Sequence, residues 1–213
     1  MLDNTFTAPE NYGLPSTTRG YKITYPKNNE STGYINGFET ELQTNLNFLP
    51  RPFNGIVLSG NFTLMDSKTD YRYTYIYQIR NPDFPGPGQT YYIWTYVDTF
   101  SVDGLLSQAK YLANVSLGYD FKGFSARLSF SYTDDILTRE QRRIDALDKE
   151  ATLAFYRWDF QMKQKITKKL SVYFNIANIF NQPDRAVRLA TGYYTRVEYY
   201  GLNTNIGIKY NFF

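Results

Sequence analysis

Glu39 and Glu41 are the residues whose type and spacing come closest to catalytic chemistry. They stand two positions apart in an alternating segment, and in a strand their side chains share one face about 7 Å apart. Paired carboxylates near that separation can hydrolyse glycosides. The chain has no His and no Cys, which removes the usual general base, the commonest metal ligand and any thiol nucleophile. We therefore interpret both glutamates as wall residues and expect no enzyme activity, no metal site and no cofactor.

Aromatic side chains are the better candidates for contacting a ligand. They make up 18% of the chain, with 21 Tyr, and a Tyr ring combines an apolar face with a hydrogen-bonding tip that suits a sugar or a chelate. The candidates lie on both sides of the proline- and glycine-rich turn at residues 81–89, and they are Tyr71, Tyr73, Tyr75, Tyr77, Tyr91, Tyr92, Trp94 and Tyr96. The alternative is that these aromatic residues only hold a tall hairpin together by cross-strand pairing.

Alternation of apolar and polar residues predicts the strands that carry these groups. A period of two recurs in residues 38–48, 56–65, 111–121, 124–133, 154–163, 170–177 and 202–212. Each segment has about ten residues, which is the length a tilted strand needs to cross a bilayer. Residues 18–26 either form an eighth strand or belong to one long strand that reaches Phe48 across a bulge.

The polar sides of these segments carry charges that we predict to face a lumen. These residues are Glu39, Glu41, Arg127, Arg157, Asp159 and Lys163. A charge ladder that fixes the strand register is one interpretation, and a role in solute passage is the other.

The predicted connections alternate between short and long. Residues 49–54, 121–123 and 167–169 are predicted tight turns, whereas residues 67–103, 134–150 and 181–193 are predicted long polar loops, the first built as a hairpin. Short turns at one rim and long loops at the other are typical of outer-membrane barrels. A mean hydropathy of −0.48 agrees with such a barrel, because half of each strand faces water. The net charge of +3 is too small to indicate a nucleic-acid partner.

Five segments resemble the C-terminal part of the barrel of TonB-dependent outer-membrane receptors, in particular the Bacteroidetes type. They read GFETELQ (37–43), LPRPFNG (49–55), YLANVSLGYDFKGFSARLSFSY (111–132), KITKKLSVYFNIANIFNQP (165–183) and EYYGLNTNIGIKYNF (198–212). We therefore expect residues 1–213 to be an all-β, antiparallel transmembrane β-barrel segment. It would have about seven or eight meandering strands, short periplasmic turns and long extracellular loops.

The resemblance implies a barrel of about 22 strands with a plugged lumen and TonB-energised uptake of a scarce ligand, such as an iron chelate, a vitamin or a glycan. A signal peptide, a TonB-contacting box and a plug have no counterpart in the sequence, so we expect a C-terminal barrel fragment in the bacterial outer membrane. The implied partners are outer-membrane lipid, the barrel-assembly machinery and, through the receptor's N-terminal part, TonB and the plug. A surface lipoprotein is a further candidate partner. Tyr210, Phe212 and Phe213 are the expected assembly signal, with Phe212 matching the family's terminal aromatic residue.

Three other interpretations remain open at this point. The first is an autonomous small outer-membrane barrel of eight strands with a structural or adhesive role. The second is an outer-membrane enzyme, which the absence of His and of any Ser- or Cys-based dyad disfavours. The third is a soluble, lipocalin-like binding barrel.

Overall fold

The computed structural model of this chain describes residues 4–5, 15–18, 22–23, 28–88, 90–140 and 149–212. The chain divides into two units, Met1–Thr32 and Gly33–Phe213. In the first unit, strands Asn4–Thr5 (β1) and Lys22–Ile23 (β2) pair antiparallel, and Ser16–Thr18 forms a 3₁₀ turn. The strand residues that the structure describes within segment 18–26 therefore have β1 as their partner.

The described part of the second unit consists of strands and their connections, with one 3₁₀ turn at Phe53–Gly55 and no α-helix. The strands are β3 Tyr34–Asn45, β4 Ile56–Arg80, β5 Tyr92–Asp103, β6 Tyr111–Phe121, β7 Phe124–Thr133, β8 Ile136–Arg139, β9 Glu150–Thr152, β10 Phe155–Lys165, β11 Leu170–Ala177, β12 Asp184–Arg188, β13 Tyr194–Glu198 and β14 Asn203–Tyr210. Seven of them form an antiparallel meander in the order β3-β4-β6-β7-β10-β11-β14, and β5 pairs with the far half of β4. The prediction of an all-β antiparallel meander is confirmed.

Strands β6, β7 and β11 begin and end at the predicted residues. The main difference lies in β4, which is one strand of 25 residues and not a short strand followed by a separate hairpin arm. Residues 65–70 contain no Gly or Pro, so no strand-breaking residue ends the strand there, although the apolar–polar alternation stops after Met65. The hairpin predicted within residues 67–103 is confirmed, because β4 pairs with β5 from Thr69↔Asp103 to Arg80↔Tyr92.

Strand register gives the seven-strand sheet one apolar face and one polar face. Leu117 pairs with Leu58 on one side and Leu128 on the other, while Asn114 pairs with Asn61 and Ser131. Directly paired residues point to the same side of a sheet, so the predicted apolar sides of neighbouring strands combine into one surface. We call the two surfaces the apolar face and the polar face.

Two of the three predicted tight turns are present, and the predicted turn at 49–54 lies within a longer connection, residues 46–55, that ends in the 3₁₀ turn Phe53–Gly55. Lys122 and Gly123 join β6 to β7 with φ angles of 45° and 83°, as a two-residue type I′ hairpin turn requires. The Thr167 hydroxyl accepts hydrogen bonds from the backbone N–H groups of Lys169 and Leu170 at 3.2 and 3.0 Å. The long connections hold a second sheet that we did not predict, in the order β13-β12-β9-β8; we call it the small sheet.

The seven-strand sheet is open in the part of the chain that the structure describes. Its outermost strands, β3 and β14, pair only with β4 and β11, respectively. Six antiparallel pairings separate β3 from β14, so the two edge strands run in the same direction. The closed barrel suggested by the pattern of the last strand is therefore not formed by these seven strands.

Candidate functional site: the polar face and the tyrosine hairpin

The polar face forms a hollow of about 380 Å³ across β3, β4, β6, β7 and β10. Its lining is mostly Asn, Ser and Gln, together with three charged side chains, Glu41, Arg157 and Asp159. Cross-strand hydrogen bonds tie the wall together, with Asn114 Nδ2 donating to Asn61 Oδ1 at 2.9 Å and Ser129 Oγ to Ser116 Oγ at 3.1 Å. Neutral pairs therefore contribute cross-strand bonds to this wall, beside the cross-strand ion pair of Arg127 with Asp120.

All six predicted charges lie on the polar face by register. Glu41 faces Asn61, Arg157 faces Ser131, and Asp159 faces Ser129. The remaining positions agree: Glu39 pairs with Thr63, Arg127 with Gly118 and Gln161, and Lys163 with Ser125 and Tyr173. Whether this face lines a lumen stays a prediction.

Glu39 and Glu41 do not meet the requirements of a catalytic pair. Both side chains are exposed, so neither has the buried surroundings that separate a general acid from a general base. The nearest charged residue along the row of Glu41 is Arg157, four strands away, which corresponds to about 19 Å. The two carboxylates and the guanidinium therefore do not form one constellation.

Arg127 is held in a cross-strand ion pair. Its Nη1 and Nη2 donate to the two carboxylate oxygens of Asp120 at 2.9 and 2.6 Å, a bidentate geometry that fixes the guanidinium plane. Gly118 makes room for it, because a Cβ at that position would lie 2.5 Å from Arg127 Cδ. Arg127 is thus committed to the wall of the polar face.

Asp159 connects the polar face to a buried corner that the sequence analysis did not single out. One carboxylate oxygen accepts from Arg157 Nε at 3.0 Å, and the other accepts from the backbone N–H of Asn178 at 2.9 Å. Asn178 is 8% exposed, and its side chain bonds the backbone of Gln182 and the carbonyl of Gly201. The sequence signal for this corner is NIFN at 178–181, which lies within the segment 165–183 that resembles TonB-dependent receptors and had no predicted structural role.

Register divides seven of the eight aromatic ligand-contact candidates between two sides of the tyrosine hairpin, by which we mean residues 69–103; Tyr91 lies just before β5, outside this register. Tyr71, Tyr73, Tyr75 and Tyr77 have the parity of the polar face and pair with Ser101, Thr99, Val97 and Thr95. Tyr92 and Trp94 have the opposite parity and pair with Arg80 and Gln78; Tyr96 pairs with Ile76. The candidates therefore do not form one continuous platform, and the row of four tyrosines extends the polar face.

Within that row, Tyr71 has a structural role. Its hydroxyl donates to the carbonyl of Gly104 and accepts from the N–H of Leu106, both at 3.0 Å. Burial raises the pKa of the Tyr71 phenol above its ordinary value of 10.0, and the hydrogen bond from Leu106 opposes that rise. Tyr71 thus holds the connection after β5 in place, so its hydroxyl is not free for a ligand.

The other candidates differ in their surroundings. Tyr75 and Tyr77 are stacked, with ring centroids 5.0 Å apart. At the tip of the hairpin, Tyr91 packs edge-on against Phe84 and Tyr92, and the Arg80 guanidinium lies 5.3 Å from its ring centroid. The tip rings hold one another in place, whereas Trp94 is 59% exposed.

Beside the base of the tyrosine hairpin lies a second hollow, of about 370 Å³, that no sequence motif indicated. Lys149 Nζ and Asp103 Oδ1 form an ion pair of 2.6 Å at its wall, and both side chains are about four-fifths buried. The pair joins β5 to the residue before β9, so it fastens the hairpin to the small sheet.

The predicted assembly signal is exposed at the end of the last strand. Tyr210 and Phe212 are 52% and 76% exposed, and their rings meet edge-on with centroids 5.1 Å apart. Phe213 lies outside the described residues. Recognition of these residues by an assembly machinery stays a prediction.

Comparison with protein-family models, with curated proteins and with solved structures finds no match for this chain. In the described ranges, no helix has the length and apolar character needed to cross a membrane. Within the same ranges, no group of three or more Asp, Glu, His or Cys side chains is placed to hold a metal ion.

Proposed function

We propose that the seven-strand sheet is a segment of a transmembrane β-barrel in a bacterial outer membrane. The observation that carries this proposal is an apolar face whose large side chains are exposed. Leu42, Leu117, Ile206 and Ile208 are 51–71% exposed on it. The buried apolar residues that the structure describes are Ala109, Ala151, Ala186 and Val187, and none of them belongs to the seven strands.

A soluble sheet would hide such a surface, because apolar side chains gain about 25 cal/mol for each Å² removed from water. Contiguous exposed apolar patches of more than a few hundred Å² mark surfaces that meet a membrane or a partner. A soluble lipocalin-like barrel would instead turn its apolar side chains inward. The exposed apolar face and the hollow polar face together support lipid on one side and water on the other.

The dimensions of the apolar face also support the proposal. β6 runs from Tyr111 to Phe121, about 33 Å along the strand, which becomes about 25 Å across a membrane at the usual tilt of about 40°. Aromatic residues stand at both ends of this band, as in the interfacial girdles of outer-membrane barrels. β4, with 25 residues, is about 80 Å long, so the tyrosine hairpin would project well beyond the lipid.

Strand parity bears on the alternative of an autonomous small barrel. Bacterial outer-membrane barrels of one chain have an even number of antiparallel strands. The meander has seven, and its edge strands β3 and β14 run in the same direction, so joining them would require a parallel pairing. The odd number of strands therefore favours a barrel segment that further strands complete, and it disfavours a barrel that these seven strands close by themselves.

At the level of biological role, we propose a component of a TonB-dependent receptor that takes up a scarce ligand such as an iron chelate, a vitamin or a glycan. The complete receptor would capture the ligand with its long loops and pass it along a polar wall while TonB rearranges the plug. The resemblance of residues 37–43, 111–132 and 165–183 supports this role. An in-frame plug and TonB box encoded upstream would support it further, and an upstream reading frame of a different protein class would contradict it.

The two tryptophans test whether the apolar face meets lipid. Trp158 lies on the apolar face beside Phe130, with ring centroids 4.9 Å apart, whereas Trp94 pairs with Gln78, about 60 Å further along β4. In vesicles of brominated phospholipid, a Trp94→Phe variant that keeps Trp158 should be strongly quenched. The matched Trp158→Phe variant, which keeps Trp94, should respond to aqueous iodide and not to the lipid. Fluorescence of Trp158 that brominated chains leave unchanged would refute the proposal.

A further inference from the structure

The short turns at one end of the seven-strand sheet share a charge pattern that the proposed function does not use. We define the turn rim as residues 46–55, 121–124 and 166–169. It carries four cations, Arg51, Lys122, Lys168 and Lys169, and no Asp or Glu. All four side chains are exposed, and none of them forms an ion pair within the described part of the chain.

The opposite end of the sheet has a different charge pattern. Cations of the long connections lie beside carboxylates, as in Lys149 with Asp103 and Arg196 with Asp184, at 2.6 and 3.1 Å. These two cations are neutralised locally, whereas the four rim cations have no carboxylate partner in the described part of the chain. A surface of this kind attracts anions, and the attraction weakens as salt screens it.

Apolar side chains lie next to each turn, and those at the first and third turns are exposed. Phe48 and Phe53 in the first turn are 79% and 55% exposed, and Ile166 in the third is 57% exposed. In the second turn, the Lys122 ammonium lies 5.3 Å from the ring centroid of Phe121. Aromatic and apolar side chains beside flexible cations are typical of the interface where acyl chains meet headgroups.

The spacing of the turns indicates the form of the anionic partner. Successive turns are two strands apart, about 10 Å along the sheet edge, so the cations follow the rim in place of converging on one patch. Lys169 is partly engaged, because its Nζ donates to the carbonyl of Phe212 at 3.3 Å. A row of cations above a row of apolar side chains matches a layer of lipid phosphates better than a single bound molecule.

We propose that the turn rim binds the headgroups of anionic phospholipids and thereby fixes the depth of this end of the sheet in the membrane. The inference rests on the proposed function, since it requires the apolar face to meet lipid. Each basic side chain near an anionic leaflet strengthens binding about fivefold, the equivalent of about 1 kcal/mol. Replacing the four rim cations should therefore weaken the preference for anionic membranes by about two to three orders of magnitude at low salt.

The test is co-flotation of the full chain with two kinds of vesicle, one of phosphatidylcholine alone and one with about one-third phosphatidylglycerol. The rim variant replaces each rim cation with Gln. A matched control variant removes the same charge from four exposed cations of the long connections by the changes Arg72→Gln, Arg80→Gln, Arg139→Gln and Arg188→Gln.

The wild type and the control variant should prefer the phosphatidylglycerol vesicles, the rim variant should not, and high salt should abolish the preference of the wild type. Equal losses in the rim and control variants, or a rim variant with the wild-type preference, would overturn the inference. A wild-type preference for phosphatidylglycerol vesicles that does not change with salt would also overturn the inference. This measurement uses the wild type alone, so it does not depend on the folding of any variant. If Trp158 is still quenched by brominated lipid when the preference is absent, only the rim inference fails; if Trp158 is not quenched, the proposed function itself fails.

Discussion

Replacing Asp159 with Ala separates the two bonds that its carboxylate makes in very different surroundings. One oxygen accepts from Arg157 Nε, and the other accepts from the backbone N–H of Asn178. The Arg157 side chain is 46% exposed, whereas Asn178 is 8% exposed. Most of the stability lost with the carboxylate should therefore come from the bond at the corner after β11, and little from the ion pair with Arg157.

The magnitudes follow from burial. A buried N–H left without an acceptor costs about 1–3 kcal/mol, and an exposed ion pair contributes about 0–1 kcal/mol. We expect Asp159→Ala to lower the free energy of unfolding by about 2–3 kcal/mol. Asp159→Asn keeps an oxygen that accepts from Asn178, and Arg157→Gln leaves that bond intact, so each should cost about 1 kcal/mol or less.

Denaturant unfolding of the chain in lipid vesicles measures these differences, with Trp158 fluorescence followed in a Trp94→Phe background. The predicted order of destabilisation places Asp159→Ala well above the other two variants. If Arg157→Gln were as costly as Asp159→Ala, the ion pair would be the main contribution. The assignment of Asp159 to the corner would then be refuted.

Two further predictions concern single contacts. Gly118→Val should displace the Arg127 guanidinium and lower the free energy of unfolding by about 1–3 kcal/mol. As a control, Gly104→Ala should cost well under 1 kcal/mol, because its added Cβ would have no neighbour closer than 3.7 Å. Equal costs of the two variants in denaturant titration would contradict this prediction. Tyr71→Phe removes two hydrogen bonds to residues 104–106 and should cost about 1–2 kcal/mol near neutral pH. Because the pKa of Tyr71 is raised in the folded chain, its contribution to stability is full below the unfolded pKa of about 10 and is lost as pH rises through the higher folded value. The stability difference between wild type and Tyr71→Phe, measured at pH values on both sides of 10, should therefore shrink in alkali, and a constant difference would contradict the assignment.

The strands and faces of the seven-strand sheet could be predicted because apolar and polar residues alternate within each strand's own sequence. Residues 111–121, 124–133 and 170–177 begin and end where polar turn residues interrupt the period. β4 was misjudged because a hairpin arm and a sheet strand have the same period of two. Only pairing with β3 and β6 on one half, and with β5 on the other, distinguishes the two parts.

The small sheet could not be predicted, because it forms between connections that are distant in the sequence. β9 pairs with β8, β12 pairs with β9, and β13 pairs with β12. Each of these strands has three to five residues, too few for a period of two to be recognised. Their pairing is favourable only once the seven-strand sheet brings the connections together.

The apolar and polar sides of each strand follow directly from the sequence, since a side chain's face follows from its place in a period of two. The sequence also indicates the two tight turns at residues 121–123 and 167–169, where residues such as Gly123 permit the backbone angles that a tight hairpin needs. Which side chains meet across strands depends on the folded arrangement of the whole sheet. The fold places Tyr73 and Trp94 on opposite sides of the tyrosine hairpin and brings Asp159 to Asn178. Register and corner geometry depend on pairing between distant segments, and the sequence of one segment does not specify its partner.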